Sequence, residues 1–117
     1  MSQKIDILVA TKIMGLEIVK TDLVSDKIGV WYESDLGEWV GDLLPYSTDL
    51  RYAWDVMEKI GCLLFSVQRE NCFGIRYDVS AYYRDDLKDR VYVTTDTAPM
   101  GICLAALKIK GVKYDLN

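Results

Sequence analysis

The stretch TTDTAPMGICLAALKIKG, residues 94–111, decides how the rest of the chain is organised. Its second half is apolar at nearly every position from Met100 to Ile109, and a polar side appears only at Lys108 and Lys110. A helix that is apolar all round must be buried on several sides. We therefore expect a helix over residues 98–110 that lies at the centre of the packing or in a contact between copies.

Hydroxyl and carboxylate side chains come directly before this helix and before one other. The motif STD occupies residues 47–49, and the motif TTDTAP occupies residues 94–99. Such side chains accept hydrogen bonds from the amides of a first helical turn, and proline fits there because its position needs no amide donor. The same kind of helix start also binds anions, and an aspartate can accept a hydrogen bond from a ribose hydroxyl. Capping and ligand binding are both compatible with the two motifs.

The remaining periodicities predict two more helices and about five strands. Helical spacing runs from Lys4 to Met14 before Gly15, and a second apolar stripe follows Asp49, made of Leu50, Ala53, Trp54, Met57 and Ile60. Strands are expected at 16–21 and 27–33 as a hairpin, and at 62–69, 74–83 and 90–95 as an antiparallel meander. Residues 33–46 are expected to form a long loop. The predicted fold class is α+β, a layered alpha-beta-alpha sandwich with three helices around a mainly antiparallel sheet, in a single domain over residues 1–117.

Composition excludes several functional classes. The net charge is −4, and lysines are interspersed with acidic residues. A protein that follows a nucleic acid polymer needs a concentrated basic face, so no such partner is expected. No apolar run is long enough for a membrane span, and the N-terminus indicates an amphipathic helix rather than a signal peptide. The three cysteines, Cys62, Cys72 and Cys103, suit reduced thiols in a cytoplasm.

Catalysis is not expected, because the chain has no histidine and no nucleophile–base motif. No cofactor and no metal site are predicted. One catalytic alternative stays open: Asp49 and Asp96 could form a carboxylate pair for a small hydrolase if the fold brings them together.

Aromatic residues favour a binding function. Eight tyrosines and three tryptophans are more than the core of so short a chain plainly needs. Trp54 has core spacing, whereas Trp31, Tyr32, Trp39 and Tyr46 lie in or beside the expected loop. Tyr77, Tyr82 and Tyr83 share a strand and form a second candidate surface. Exposed aromatic rings near arginine suit a nucleobase or a protein partner equally well.

Three segments resemble the phage ABA-sandwich domain family. They are LVATKIMG, YSTDLRYAWDVMEKI and TTDTAPMGICLAALKIKGV, which cover all three expected helices. The resemblance departs from the family pattern at Leu16, where tryptophan is common, and between residues 27 and 93. It implies a small α/β fold of phage origin and carries no agreed chemical activity.

The phage setting suggests a non-catalytic protein that counters host antiviral defence by sequestering a nucleotide-derived immune signal in the host cell cytoplasm. Aromatic rings would stack on the base, hydroxyl or carboxylate groups would hold the ribose, and arginine or helix-start amides would hold phosphate. The predicted ligand contacts are Trp39, Tyr46, Ser47, Thr48, Asp49, Arg51, Thr95, Asp96 and Thr97. The alternative is a protein-binding module that inhibits a host defence protein or serves as a phage accessory factor. A homo-oligomer is expected in either case, because the apolar third helix and the surplus aromatics favour burial between copies.

Overall fold

Three helices run through the computed structural model, which describes residues 2–22, 27–60, 63–70, 76–83 and 86–114. The first, α1, spans Ser2–Leu8 and continues as a π-helical segment over Val9–Ile13. The second, α2, spans Leu50–Ile60, and the third, α3, spans Ala98–Ile109. The three predicted helices are therefore confirmed.

Six strands are present in the described residues, and they form two antiparallel sheets of three strands each. The first sheet has the order β1 (Glu17–Asp22), β2 (Lys27–Ser34) and β3 (Gly37–Asp42). The second has the order β4 (Leu63–Glu70), β5 (Arg76–Tyr83) and β6 (Asp86–Thr95). The predicted α+β class and antiparallel meander are confirmed. A single sheet of about five strands is not found, because no ladder joins the two sheets in the described residues.

The predicted loop over residues 33–46 is wrong in its middle part, where β3 pairs with β2. Tyr32 lies opposite Trp39, and Ser34 lies opposite Gly37. Gly37 has a φ of 124°, which a residue with a side chain rarely adopts, so it allows the tight turn between the strands. Glycines at 37 and 41 favoured a loop in the sequence, whereas pairing with the aromatic β2 makes this segment a strand.

The core is built around α3, as its uniform apolarity predicts. Seven consecutive residues, Gly101 to Leu107, are buried. One side of α3 packs on β5 and β6, with Ile102 and Ala105 against Val79 and Ala81. Its other side packs with the first helix and α2, where Cys103, Leu104, Ala106 and Leu107 meet Ile5, Val9 and Val56. The third helix is therefore central to the packing within one chain.

The second half of the first helix winds more loosely than an α-helix. The Met14 amide donates to the carbonyl of Val9 at 2.9 Å, five residues back. In the preceding turn, the hydroxyl of Thr11 donates to the carbonyl of Ile7 at 2.8 Å. A hydroxyl that competes for helical carbonyls favours a locally widened turn. Gly15 then ends the helix with a φ of 71°, as the sequence predicts.

The prediction that Trp54 belongs to the core is wrong. Its side chain is 55% exposed, and Leu50 is exposed as well. Ala53 and Val56 are the fully buried residues of α2. The indole nitrogen of Trp54 instead donates to a carboxylate oxygen of Glu58 at 2.9 Å. Helical spacing predicts that these residues share one side of α2, but it does not predict which edge of that side is buried.

Some expectations lie outside the described residues: the hairpin tip at 23–26, the turn at 71–75, residues 84–85, and the thiols of Cys62 and Cys72. Within the described residues, β6 begins at Asp86, four residues earlier than predicted. None of the described helices has the length and apolarity that crossing a bilayer requires.

Candidate functional site

Asp49 and Arg51 form a rigid pair at the start of α2. The Arg51 amide donates to Asp49 Oδ1 at 3.0 Å, which is the capping bond predicted for this motif. The Arg51 guanidinium donates to both carboxylate oxygens, at 3.3 and 3.0 Å. These hydrogen bonds hold the pKa of Asp49 below its usual value. The Arg51 side chain is 81% exposed, so the carboxylate orients a guanidinium that solvent can still reach.

Tyr46 and Ser47, by contrast, lie inside the molecule. Tyr46 is 1% exposed and belongs to the core around α3, and burial raises the pKa of its hydroxyl. Ser47 is equally buried; its amide donates to Oδ1 of Asp6 at 2.8 Å, and its hydroxyl also bonds that carboxylate. Neither side chain reaches the surface, so the contacts predicted at this motif are reduced to Thr48, Asp49 and Arg51.

Asp6 is a buried carboxylate that sequence analysis missed. It is 7% exposed, and the two Ser47 donors satisfy it across 41 residues of chain. Burial raises its pKa more than the hydrogen bonds lower it. An acidic residue on the apolar side of the first helix was the available signal, since buried carboxylates need donors. Its role is to tie the first helix to the start of α2.

Trp39 presents an exposed aromatic surface on β3. Its ring is 50% exposed and stacks on Tyr32 across the strand pair, with ring centroids 5.6 Å apart and planes 21° apart. The Tyr32 hydroxyl donates to the carbonyl of Asp42 at 2.9 Å. Its ring also lies against Gly41, where an added Cβ would come within 3.0 Å of a ring carbon. The hydroxyl bond and the close approach at Gly41 fix the Tyr32 ring beneath Trp39.

A second aromatic pair joins Tyr46 to α2. Tyr46 packs edge-on against Tyr52, with centroids 6.4 Å apart, and the Arg51 guanidinium lies 5.6 Å from the Tyr52 ring centre. Trp39 with Tyr32, and Tyr46 with Tyr52, are thus two aromatic pairs, and the Arg51 guanidinium lies over the second. Tyr32 and Tyr52 were not among the predicted ligand contacts.

The start of α3 makes its contacts locally. Thr97 occupies the capping position with extended backbone, yet its side chain makes no capping bond, and Pro99 lies in the first turn as predicted. The Thr95 hydroxyl donates to the Thr97 carbonyl at 2.7 Å. Asp96 and Thr97 are exposed. Thus Asp49 and Thr95 each bond within their own motif, and ligand contact at either motif stays a prediction.

The strand tyrosines form a separate surface on the second sheet. The Arg90 guanidinium lies 4.3 Å from the ring centre of Tyr82, and Tyr92 is 62% exposed. On the same sheet, Thr94 donates to Asp78 at 2.8 Å. This surface pairs aromatic rings with one cation. Of the three predicted tyrosines it includes Tyr82; Tyr77 lies on the opposite face of β5, and the side chain of Tyr83 is outside the described residues.

The described residues contain no group of three or more histidine, cysteine, aspartate or glutamate side chains placed to hold a metal ion. The Cys103 thiol is buried, and burial raises its pKa, so it is not activated as a nucleophile. Among the cavities along the described part of the chain, two are formed by residues near the first helix. One, of about 300 Å³, is lined by Lys4, Ile7, Leu8, Lys113 and Tyr114. The other, of about 220 Å³, is lined by Gly15, Leu16, Glu17, Trp31 and Glu33.

Comparison with known proteins places the chain by family. No protein of curated function matches it. Among solved structures, the 2.0 Å crystal structure of a phage protein from Bacillus cereus ATCC 14579 is similar, with a TM-score of 0.71 and 25% sequence identity. The match covers 98% of this chain and 92% of that one. The family model of the phage ABA sandwich domain matches residues 7–107, which include the starts of α2 and α3, both sheets and nearly all of α3. The chain belongs to the phage ABA sandwich domain family.

Proposed function

We propose that this protein is a phage-encoded, non-catalytic binding protein that counters host antiviral defence by sequestering a nucleotide-derived immune signal, such as a cyclic nucleotide or an ADP-ribose derivative. It acts in the host cytoplasm. Membership of a phage domain family supports the setting. The observation that carries the ligand class is an exposed tryptophan ring, Trp39, held by stacking on Tyr32, together with the exposed guanidinium of Arg51.

In this proposal the base stacks on the free face of Trp39. The ring is already held by Tyr32 on its other side, so little side-chain freedom is lost when a base binds. A phosphate contacts the exposed guanidinium of Arg51, which Asp49 keeps in position. Thr48, also exposed, is available to the ribose, and the Thr95, Asp96 and Thr97 motif completes the contacts within one chain or from a second copy.

Calorimetric titration against a panel of cyclic dinucleotides and ADP-ribose derivatives tests this. Wild-type protein is expected to bind one member, and Trp39→Ala to weaken that binding roughly 5- to 150-fold, because stacking of one base on one aromatic ring contributes about 1–3 kcal/mol. Arg51→Ala should also weaken it. Trp54→Ala is the matched control, since Trp54 is a similarly exposed tryptophan on α2, and its affinity should stay within about twofold of wild type.

Failure of the wild-type protein to bind any member of the panel would remove the sequestration hypothesis. The alternative, a protein-binding module directed at a host defence protein or serving as a phage accessory factor, is favoured by one observation. Trp39, the exposed ring of the proposed site, lines neither of the two cavities described above, whereas a small-molecule site is usually concave. Negative calorimetry together with capture of a host protein that Trp39→Ala abolishes would establish that alternative.

A further inference from the structure

The outer surface of the first sheet combines an exposed apolar centre with glutamates. Trp31 lies opposite Val40 in the register of β2 and β3, and both side chains are exposed. On the same face, Glu17 lies opposite Trp31, while Glu33 and Glu38 lie opposite each other. We call this surface the acidic face, and it consists of Glu17, Trp31, Glu33, Glu38 and Val40.

Charge is unbalanced on the acidic face. Like charges that lie directly opposite each other on paired strands are destabilising, and Glu33 and Glu38 are such a pair. The ion pair of Arg51 with Asp49 lies on another part of the molecule. An apolar centre with uncompensated carboxylates fits a partner surface that is apolar and basic.

The same chain carries a surface of that kind. The cavity of about 300 Å³ has an apolar lining from Ile7, Leu8 and Tyr114 and is flanked by Lys4 and Lys113, both exposed. We call it the lysine groove. The two lysines give this groove a positive charge, opposite to the negative charge of the acidic face.

The positions of the two surfaces suit a twofold arrangement. The lysine groove lies at the beginning of the first helix, and the cavity beside Trp31 includes Gly15, just past the end of that helix. The two surfaces therefore lie towards opposite ends of the first helix. In a symmetric pair of copies the groove of each copy meets the acidic face of the other, so the contact is made twice.

We propose that the acidic face binds the lysine groove of a second copy of this chain, giving a symmetric homodimer. The apolar centres meet each other, and Glu17 and Glu33 meet Lys4 and Lys113. Trp39 lies on the opposite face of this sheet and Arg51 lies on α2, so the dimer leaves the proposed ligand contacts available.

Charge reversal tests the pairing. Sedimentation equilibrium and light scattering should give a mass near twice 13.4 kDa for the wild type at tens of micromolar, with weaker association at high salt. The variant Glu17→Lys/Glu33→Lys and the variant Lys4→Glu/Lys113→Glu should each raise the dimer Kd at least about tenfold, because both contacts then join like charges. Asp55→Lys and Lys59→Glu, exposed positions on α2, are charge-reversal controls outside both surfaces, and each should dimerise as wild type does.

Mixing the two reversed variants is the decisive step. In a mixed dimer each contact again joins opposite charges, so the mixture should form heterodimers with an affinity within a few-fold of wild type. A variant that carries all four changes should likewise form homodimers. A wild type that stays at 13.4 kDa at 100 μM, a dimer unaffected by either reversal, or a mixture that fails to associate would overturn the proposal. Circular dichroism of each variant confirms that it is folded before its mass is interpreted.

Discussion

Gly101 determines how closely α3 approaches the second sheet, so Gly101→Ala tests the central packing of the fold. A Cβ at this position would lie 2.5 Å from Cγ2 of Val79 and 2.7 Å from Oγ1 of Thr95. Ordinary carbon–carbon contact is about 3.5–4.0 Å, so the helix or the strand would have to retreat by about 1 Å. Val79 is buried in β5 between two neighbouring strands, which leaves it little room to move.

Three contributions decide the sign of the effect. Alanine is favoured over glycine inside a helix by about 1 kcal/mol. Overpacking a buried site costs about 1–3 kcal/mol. Displacing Thr95 also strains its bond to the Thr97 carbonyl, which contributes about 0.5–1.5 kcal/mol. The sum predicts a net loss of about 0.5–3.5 kcal/mol in the free energy of unfolding.

Urea unfolding, followed by circular dichroism and tryptophan fluorescence, measures this loss. Val79→Ala is the matched background, because it removes the methyl groups that the new Cβ would meet. In that background Gly101→Ala should be less costly by about 0.5–3 kcal/mol, as expected for residues in direct contact. An increase of about 1 kcal/mol in the stability of Gly101→Ala alone, or strictly additive effects, would refute the close approach of α3 to β5.

The remaining predictions concern the helix starts and the buried carboxylate. Asp49→Ala should lower the free energy of unfolding by about 0.5–2 kcal/mol, because Asp49 makes a capping bond. Thr97→Ala should stay within about 0.5 kcal/mol of wild type, because the Thr97 side chain makes none. Urea unfolding compares the two variants, and equal losses of stability would contradict this difference in capping. Ser47→Ala should cost about 1.5–3 kcal/mol in the same assay, because it removes a donor from a buried carboxylate; a neutral result would exclude that role. The folded-state pKa of Asp6 is raised, so the folded protein binds its proton more tightly than the unfolded chain does. Wild type should therefore gain stability relative to Asp6→Asn as the pH falls through the pKa of Asp6 in the folded protein. The gain should be complete below the pKa of Asp6 in the unfolded chain, about 3.9. A stability difference between the two proteins that is constant from pH 7 to pH 3 would contradict this prediction.

The helices and the position of α3 could be predicted from the sequence because they depend on local signals. Residues 98–110 are apolar all round, and such a segment has one stable place, inside the molecule. Asp49 and Pro99 mark helix starts through groups that act within one turn, so their positions need no distant partner. The family segments lie on the same helices, which explains why the resemblance and the periodicity led to one fold class.

Burial and pairing depended on residues far apart in the chain, and only the tertiary structure decided them. Residues 37–42 form a strand because they pair with β2, although their glycines favour a loop. Ser47 turned inward because Asp6, 41 residues earlier, required donors in a buried position. Trp54 turned outward because the arc of α2 that faces α3 is centred on Ala53 and Val56. Local periodicity states that a side of a helix is apolar; which edge of it is covered depends on the neighbour that packs there.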